Sequence, residues 1–232
     1  MMDEHPSNVR YHIFKFCLEH CHPPSIGELA ILTGQPVDKI PEILRVLEQE
    51  KHLVLYKENV PSQTPIAMVH PFAHLPTPYV VSQGEKSWFA NCAWCAFGLA
   101  SMLSSTEGPI QIQARSGSVG QELRFEILNG SVSVITGTQN AVIHFSVPPS
   151  QWWNDVRFTC STIQVFESRD EPEEWCERYG FDKGEVIPLD TMWKLAKAWY
   201  HDKANYDYKR KSHSEVQNLY TSLGMTSSFW AS

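Results

Sequence analysis

The sequence lacks three features that would each mark a broad class of protein. It has no run of about eighteen consecutive apolar residues, so it contains no candidate for a membrane-spanning helix. Its six cysteines are too few for a disulfide scaffold in a chain of 232 residues. The first residues, MMDEHPSNVRYHIFKF, mix acids and bases and do not resemble a signal peptide. We therefore expect a cytoplasmic, globular protein with free thiols and no membrane association.

The sequence also lacks the positive charge that is typical of nucleic-acid-binding proteins. Its net charge is −7 and its pI is about 5.8. Binding to phosphate backbones needs Lys and Arg concentrated on one face, so nucleic acid is an unlikely partner. The one basic run, KRKSH at 209–213, is interpreted as a solvated approach to a helix.

The N-terminal quarter has the element order of a winged-helix module. A helix over 8–20 is followed by a second over 25–32, where Ser25 and Glu28 have the spacing of a capping box. A third apolar-faced helix and a strand at 52–58 complete the order. Residues 1–60 carry six Lys and Arg against nine Asp and Glu, which disfavours contact with DNA. We predict a module at residues 1–65 with a structural or lid role.

The remainder, residues 66–232, is predicted to be a mixed domain built on an antiparallel sheet, which makes the chain an α+β protein. The proline-rich stretch at 62–78 is interpreted as a linker into this domain. Alternating apolar residues predict strands, and Asn129-Gly130 is a strong hairpin signal. The predicted strands lie within 79–90, 110–116, 122–136, 141–147 and 155–168, and the predicted helices at 171–179, 189–201 and 214–223.

Two cysteines lie three residues apart at the start of the apolar stretch FANCAWCAFGLASML. The positive end of a helix lowers the pKa of a nearby thiol, so Cys92 is expected to be a thiolate, and Cys95 falls on the same helix face. Cys160 lies in the predicted strand at 155–168 and completes a soft-metal site if the sheet packs on the helix.

The CxxC spacing leaves other interpretations open. His70 and His74 would complete a zinc site, although such a site leaves Cys160 without a role. A thioredoxin-like redox pair needs a βαβ unit that the flanking hairpins do not provide. The cysteines can also be small buried apolar residues. A second soft-metal site at Cys17 and Cys21 is conceivable, but a buried helix face explains that pair without a ligand role.

Several segments together resemble the alkylmercury lyase, or organomercurial lyase, family. They are HPFAHLPTPYVV, WFANCAWCAFGL, DVRFTCSTIQVFES followed by EPEEW, and the C-terminal WKLAKAWY and LYTSLGMTSSFW. The resemblance covers most of the chain. It implies a carbon–mercury lyase in which one thiolate attacks the organomercurial, a second thiolate joins it on mercury, and an acid protonates the carbon. Cys92 matches the family's helix thiol, and Cys160 matches its strand thiol.

The resemblance further implies an organomercurial small molecule as substrate and Hg(II) as bound product. No prosthetic group is implied; small thiols act as co-substrates, and cellular thiols or a mercury reductase accept the Hg(II). The chain departs from the family where Cys95 replaces the aspartate that typically transfers the proton, so Cys95 is expected to serve as the acid or as a third mercury ligand. Phe89 replaces a tyrosine found in some members. The alternatives are a non-catalytic thiolate protein that binds mercury or copper and, less favoured, a metal-responsive DNA-binding regulator.

Overall fold

The computed structural model describes residues 6–57, 64–104 and 108–231. Within them the chain forms an α+β fold, as the sequence predicts, with two antiparallel sheets and helices packed against them. The helices are α1 (Pro6–His20), α2 (Ile26–Thr33), α3 (Ile40–Gln49), α4 (Ala93–Leu103), α5 (Val156–Thr162), α6 (Glu171–Tyr179), α7 (Leu189–Tyr200) and α8 (His213–Ser222). None of the described helices combines the length and the apolar character needed to span a bilayer.

The larger sheet has the strand order β1-β2-β3-β5-β4-β6-β7-β8, and the smaller has the order β10-β9-β11. The strands are β1 (Val54–Leu55), β2 (Ile66–Val69), β3 (Phe72–Ala73), β4 (Val80–Gln83), β5 (Lys86–Ala90), β6 (Ile110–Arg115), β7 (Glu122–Leu128), β8 (Ser131–Thr136), β9 (Val142–Phe145), β10 (Gln164–Phe166) and β11 (Glu185–Pro188). All of the pairings are antiparallel.

The N-terminal helices are joined to the larger sheet through β1. The predicted order of three helices and a strand is confirmed, and the capping box of Ser25 and Glu28 is present. The predicted strand at 52–58 shortens to β1, and its last residue, Glu58, lies outside the described residues. Because β1 pairs with β2, the sheet runs without a break from the N-terminal segment into the rest of the fold.

The prediction of a linker at 62–78 is wrong for most of that stretch; its first two residues lie outside the described part of the chain. It contains β2 and β3, which pair with each other within the larger sheet. The apolar residues Ile66, Val69 and Phe72 are buried, so their side chains contribute to the core. The prolines in this stretch favour a linker over strands in the sequence, but both strands are short enough to fit between the prolines.

The prediction of a strand over the whole of 155–168 is also wrong. Residues 156–162 form α5, and only β10 is extended. Asp155 caps the helix, its carboxylate accepting a hydrogen bond from the Phe158 N–H at 3.0 Å. The predicted period of two placed Phe158 and Cys160 on one face, yet Phe158 is 45% exposed and Cys160 is 5% exposed. Several residues here have high strand propensity, but the cap and the tertiary packing override it.

Helix α4 lies at the centre of the core. It is apolar on all sides, and each of its residues is buried. The sheet strand β6 places Ile110, Ile112 and Ala114 on its buried face and polar residues on the other, as the alternation predicts. The opposite side of α4 packs against α7. The predicted hairpin turn at Asn129-Gly130 connects β7 and β8, with both residues at positive φ.

A close approach between α4 and α7 depends on Gly98. A Cβ atom at this position would lie 2.5 Å from Cδ2 of the buried Tyr200 ring. We predict that Gly98→Ala lowers the free energy of unfolding by about 1–3 kcal/mol, because the added methyl group forces the buried Tyr200 ring or α4 to shift. Urea denaturation monitored by tryptophan fluorescence measures this change.

The matched control is Gly27→Ala in α2, where the nearest atom, Ser25 Oγ, is 3.9 Å from the added Cβ. Since Gly27 is exposed and helical, alanine should leave stability unchanged or raise it by up to about 1 kcal/mol. Equal stability of the Gly98 variant and the native chain would contradict the proposed packing.

Candidate functional site

Two cysteines occupy the buried N-terminal end of α4. Cys92 is the N-cap residue, with extended backbone at φ −162°, and its Sγ accepts a hydrogen bond from the Cys95 N–H at 3.4 Å. The first turn of a helix exposes N–H groups that lack intrahelical partners, and here a sulfur satisfies one of them. Both side chains are buried, with at most 1% exposure. The CxxC spacing thus places two sulfurs at one helix end inside the protein.

Cys160 joins them from α5. The end of α5 is held against the start of α4 by a hydrogen bond from the Ala93 N–H to the Ile163 carbonyl, at 3.3 Å. The Sγ atoms of Cys92, Cys95 and Cys160 lie within 4.8 Å of one another. The structure therefore brings together all three of the cysteines that the sequence predicts to act together. Their catalytic and metal-binding roles remain predictions.

A cavity of about 420 Å³ opens onto the three sulfurs. Aromatic rings form much of its wall: Trp94, Trp152, Trp153, Trp199, Tyr200 and Tyr208. The Tyr200 hydroxyl lies 3.8 Å from Cys95 Sγ, and His70 Nε2 lies 3.5 Å from Cys160 Sγ. The thiols therefore contact two polar side chains in a cavity whose wall contains several aromatic rings.

The three thiols of the cluster differ in pKa. Burial, together with hydrogen bonds to Cys160 and Cys95, raises the pKa of Cys92 well above its ordinary value. Burial acts in the same direction on Cys95, but hydrogen bonds from Cys160 and Cys92 outweigh it and hold the pKa of Cys95 well below its ordinary value. The hydrogen bond with Cys92 lowers the pKa of Cys160. The hydrogen bond to Cys95 and burial outweigh that effect, so the pKa of Cys160 lies well above its ordinary value.

The cluster thus loses one proton easily and retains two. Helix position alone predicts a lowered pKa at Cys92, whereas in the structure Cys95 is the thiol of the cluster whose pKa is lowered. The reason is that Cys95 receives hydrogen bonds from both other thiols and from the Tyr200 hydroxyl.

Burial favours the neutral form of each neighbouring polar group. Burial lowers the pKa of His70 to about 4, so the ring is uncharged at neutral pH, and its Nδ1 has no hydrogen-bond partner among the described residues. Burial lowers the pKa of Lys203 to about 7, against the opposing effect of the Cys95 charge. Burial raises the pKa of Tyr200 well above its ordinary value, which keeps its hydroxyl as a donor. These groups can supply protons and hydrogen bonds to the sulfurs.

Other residues suggested by the sequence lie away from the site. Among the described residues, the group of His, Cys, Asp and Glu side chains close enough to share a metal ion consists of the three cysteines. His74, Cys17 and Cys21 lie outside that group, so within the described residues the Cys2His2 zinc site does not form, and no group of three or more such side chains includes Cys17 or Cys21. Phe89 is 38% exposed and does not line the cavity.

Sequence reasoning missed Tyr200 and Lys203. The phenolic hydroxyl beside the thiols comes from Tyr200, at the end of α7, rather than from position 89. The helical pattern over 189–201 predicts α7 correctly, but in that pattern Tyr200 resembles an ordinary core residue. No motif marks Lys203; only its place beside the cavity singles it out.

We predict that the folded protein carries close to one thiolate at neutral pH, detectable by its ultraviolet absorbance. Unfolding at the same pH should abolish most of this signal, since a free thiol has a pKa of roughly 8.5. Cys95→Ser should move the onset of ionisation to higher pH by about one unit or more, because the most acidic thiol is lost.

Cys17→Ser is the control for this titration, because burial raises the pKa of Cys17 and it contributes no thiolate near neutral pH. A folded protein whose thiols ionise only above about pH 8 would contradict the assigned charge on the cluster.

Three comparisons with known proteins bear on this site. The family model for MerB, alkylmercury lyase, matches residues 72–201, which include the three clustered cysteines, Tyr200 and most of the larger sheet. No curated protein sequence matches the chain significantly.

The fold is similar to the crystal structure of the mercury-bound form of MerB2. The TM-score is 0.68 with 19% sequence identity, over 88% of this chain and 93% of that one. At this identity the likeness concerns the fold alone. The family model, by contrast, matches more than half of the chain. The chain therefore belongs to the alkylmercury lyase family.

Proposed function

We propose that this protein cleaves the carbon–mercury bond of organomercurials by protonolysis, releasing a hydrocarbon and Hg(II), and that it serves in organomercury detoxification. The single observation that supports this most strongly is the buried cluster of three sulfurs within 4.8 Å of one another, inside the region that matches the family. Soft thiolates prefer soft metals, and burial of the three sulfurs strengthens the interactions of any charge that develops on them.

In the first step the Cys95 thiolate acts as a base. It takes the proton of Cys92, and the sulfur of Cys92 attacks mercury and displaces the small thiolate that delivered the substrate. The product of this step carries a Cys92–Hg–carbon unit and protonated Cys95 and Cys160. The charge of the cluster leaves with the displaced thiolate, so atoms and charges balance. Proximity of the three sulfurs makes these proton transfers short.

In the second step Cys160 binds mercury and the carbon is protonated. The Cys95 thiol donates its proton to the carbon and receives the Cys160 proton in exchange, so that hydrocarbon leaves while Cys92 and Cys160 hold Hg(II). Cys95 thus performs the transfer that the family's aspartate typically performs. Tyr200 stabilises the charged form of Cys95 between transfers, through its hydroxyl 3.8 Å away.

Release of Hg(II) requires other thiols as acceptors. Thiolates exchange on a soft metal by associative attack, and the open cavity admits small thiols. We propose cellular thiols or a mercury reductase as the acceptor and no prosthetic group. We further propose that residues 1–65 form a winged-helix-like module with a structural role beside the catalytic domain at 66–232, since Lys51 and His52 from this module line the cavity.

A second candidate function is sequestration of a soft metal such as mercury or copper without bond cleavage. It is favoured by the sulfur of Cys95, which stands where the family typically has a carboxylate. A metal ion held by all three sulfurs would bind more tightly than one held by two, and its release would be slower.

Turnover with methylmercury or phenylmercury and excess small thiol separates the two functions. We expect methane or benzene in amounts that exceed the protein by several-fold, measured by gas chromatography together with inorganic mercury. Stoichiometric mercury binding without hydrocarbon would exclude the lyase and leave sequestration.

Substitution of Cys95 tests its role in proton transfer. We expect Cys95→Ser to lower kcat by about a hundredfold or more, because the serine hydroxyl is a poor acid and base. Cys95→Asp should retain kcat within about tenfold, since a carboxylate can transfer the proton. Cys21→Ser, outside the cluster, is the control and should not change the rate. An unchanged rate in Cys95→Ser would exclude this residue from proton transfer.

A further inference from the structure

Apart from the thiol cluster, the charged side chains that line the cavity are basic. Four cationic side chains line it, namely Lys51, Lys203, Arg210 and Lys211, together with His52 and His213. Among the described residues that line the cavity, none is Asp or Glu. This is unexpected for a chain with a net charge of −7. The basic run at 209–213, which the sequence suggests is merely solvated, contributes Arg210, Lys211 and His213 to the entrance.

Among the described residues these cations form no close ion pair, and only Lys211 acts electrostatically on a carboxylate outside the cavity, that of Glu215. Within the described residues, no carboxylate oxygen lies within 4.0 Å of the charged nitrogens of Lys51, Lys203, Arg210 or Lys211. The nearby Glu50 directs its carboxylate at His52, 3.7 Å away, and only its backbone carbonyl accepts a hydrogen bond from Arg210, at 2.8 Å. The positive charge at the cavity is therefore not neutralised by ion pairs.

Aromatic rings hold the cations in place instead. The Arg210 guanidinium carbon lies 5.6 Å from the centroid of the Trp153 ring, and Lys51 Nζ lies 5.9 Å from the same centroid. Lys203 Nζ lies 4.9 Å from the centroid of Tyr200. Cation–π contacts of this kind position a cation at a ring without cancelling its net charge. The arrangement leaves charged groups available to a ligand.

Only one of these four cations is a close electrostatic partner of the thiols. Lys203 is buried and interacts electrostatically with Cys95 and Cys160. Lys51 and Arg210 are exposed, and neither is among the groups that shift the pKa values of the three cysteines. Their charge therefore faces whatever enters the cavity rather than the thiolate at its base.

We propose that the cavity selects organomercurials that carry a carboxylate, with the mercury directed to the thiols and the carboxylate to Arg210 and Lys51. This proposal rests on the function proposed above and adds a substrate class to it. A guanidinium matches a carboxylate in shape and hydrogen bonding, and an uncompensated positive field raises the rate at which anions arrive. The carboxylate can belong either to the organic group on mercury or to the thiol that accompanies it.

The test compares the rates at which the protein captures the two members of matched pairs of mercurials. Capture is monitored in stopped flow by the quenching of fluorescence from the tryptophans that line the cavity. One pair is methylmercury complexed with mercaptoacetate or with mercaptoethanol. The other is para-carboxyphenylmercury or phenylmercury, each complexed with mercaptoethanol. We expect the carboxylate-bearing member of at least one pair to be captured about five- to tenfold faster at low salt, an advantage that shrinks as ionic strength rises. The pair that shows this rate advantage identifies whether the recognised carboxylate belongs to the thiol or to the organic group on mercury.

Substitutions at the cavity entrance test which charged side chains cause the preference for carboxylates. Arg210→Gln and Lys51→Gln should each reduce the advantage to about twofold or less, whereas Arg210→Lys should keep most of it. Lys209→Gln removes the same charge from the same segment but does not line the cavity, so the advantage should persist. Thermal unfolding of each variant shows whether it is folded, and Lys51, being exposed, is the safer substitution.

Equal capture of both members in both pairs would overturn the proposal, as would an advantage lost equally in Lys209→Gln. Hydrocarbon release is measured in the same samples with the mercaptoethanol complex of methylmercury. Release of methane without a carboxylate preference refutes the substrate class and leaves the lyase intact. A preference in capture without any hydrocarbon refutes the lyase and supports the anion-selective cavity.

Discussion

The complete burial of α4 is the constraint on which the rest of the structure depends. A helix that is apolar on every side must be covered on every side, and here the larger sheet, α7 and the end of α5 cover it. Its N-terminal end is therefore inside the protein, where unpaired N–H groups are costly. The Cys92 sulfur and the Ile163 carbonyl accept two of these hydrogen bonds. The contact that satisfies the helix end is also the one that brings Cys160 to the other two cysteines.

Burial also determines the chemistry of the thiols. In water three neighbouring thiols would ionise nearly independently, but in a closed site they must share hydrogen bonds with one another. One sulfur can be charged because two others donate to it, and a second charge would have little solvation. A cluster with one acidic thiol and two weakly acidic ones would supply the groups that the proposed protonolysis needs: a nucleophile after one proton transfer, a second ligand after another, and a proton for the carbon.

Much of this architecture is accessible from the sequence. The alternation in β6 and β7, the Asn129-Gly130 turn, the capping box at Ser25 and the apolar period of α7 all predict local structure correctly, because each depends on neighbours within a few residues. The strands within 62–78 and the helix at 156–162 are missed. There, prolines and β-branched residues give a local preference that the packing of distant segments overrides.

The sequence by itself determined which residues are capable of the chemistry: a CxxC pair at a helix start and a third cysteine far along the chain, in segments that resemble one family. Only the tertiary structure decided how they share protons, because hydrogen bonds among Cys92, Cys95, Cys160 and Tyr200 join residues from three separate helices and a cap. Only the tertiary structure also shows that residues of the basic run at 209–213 line the cavity. Electrostatic fields and pKa values depend on distance and burial in three dimensions, and spacing along a chain does not encode them.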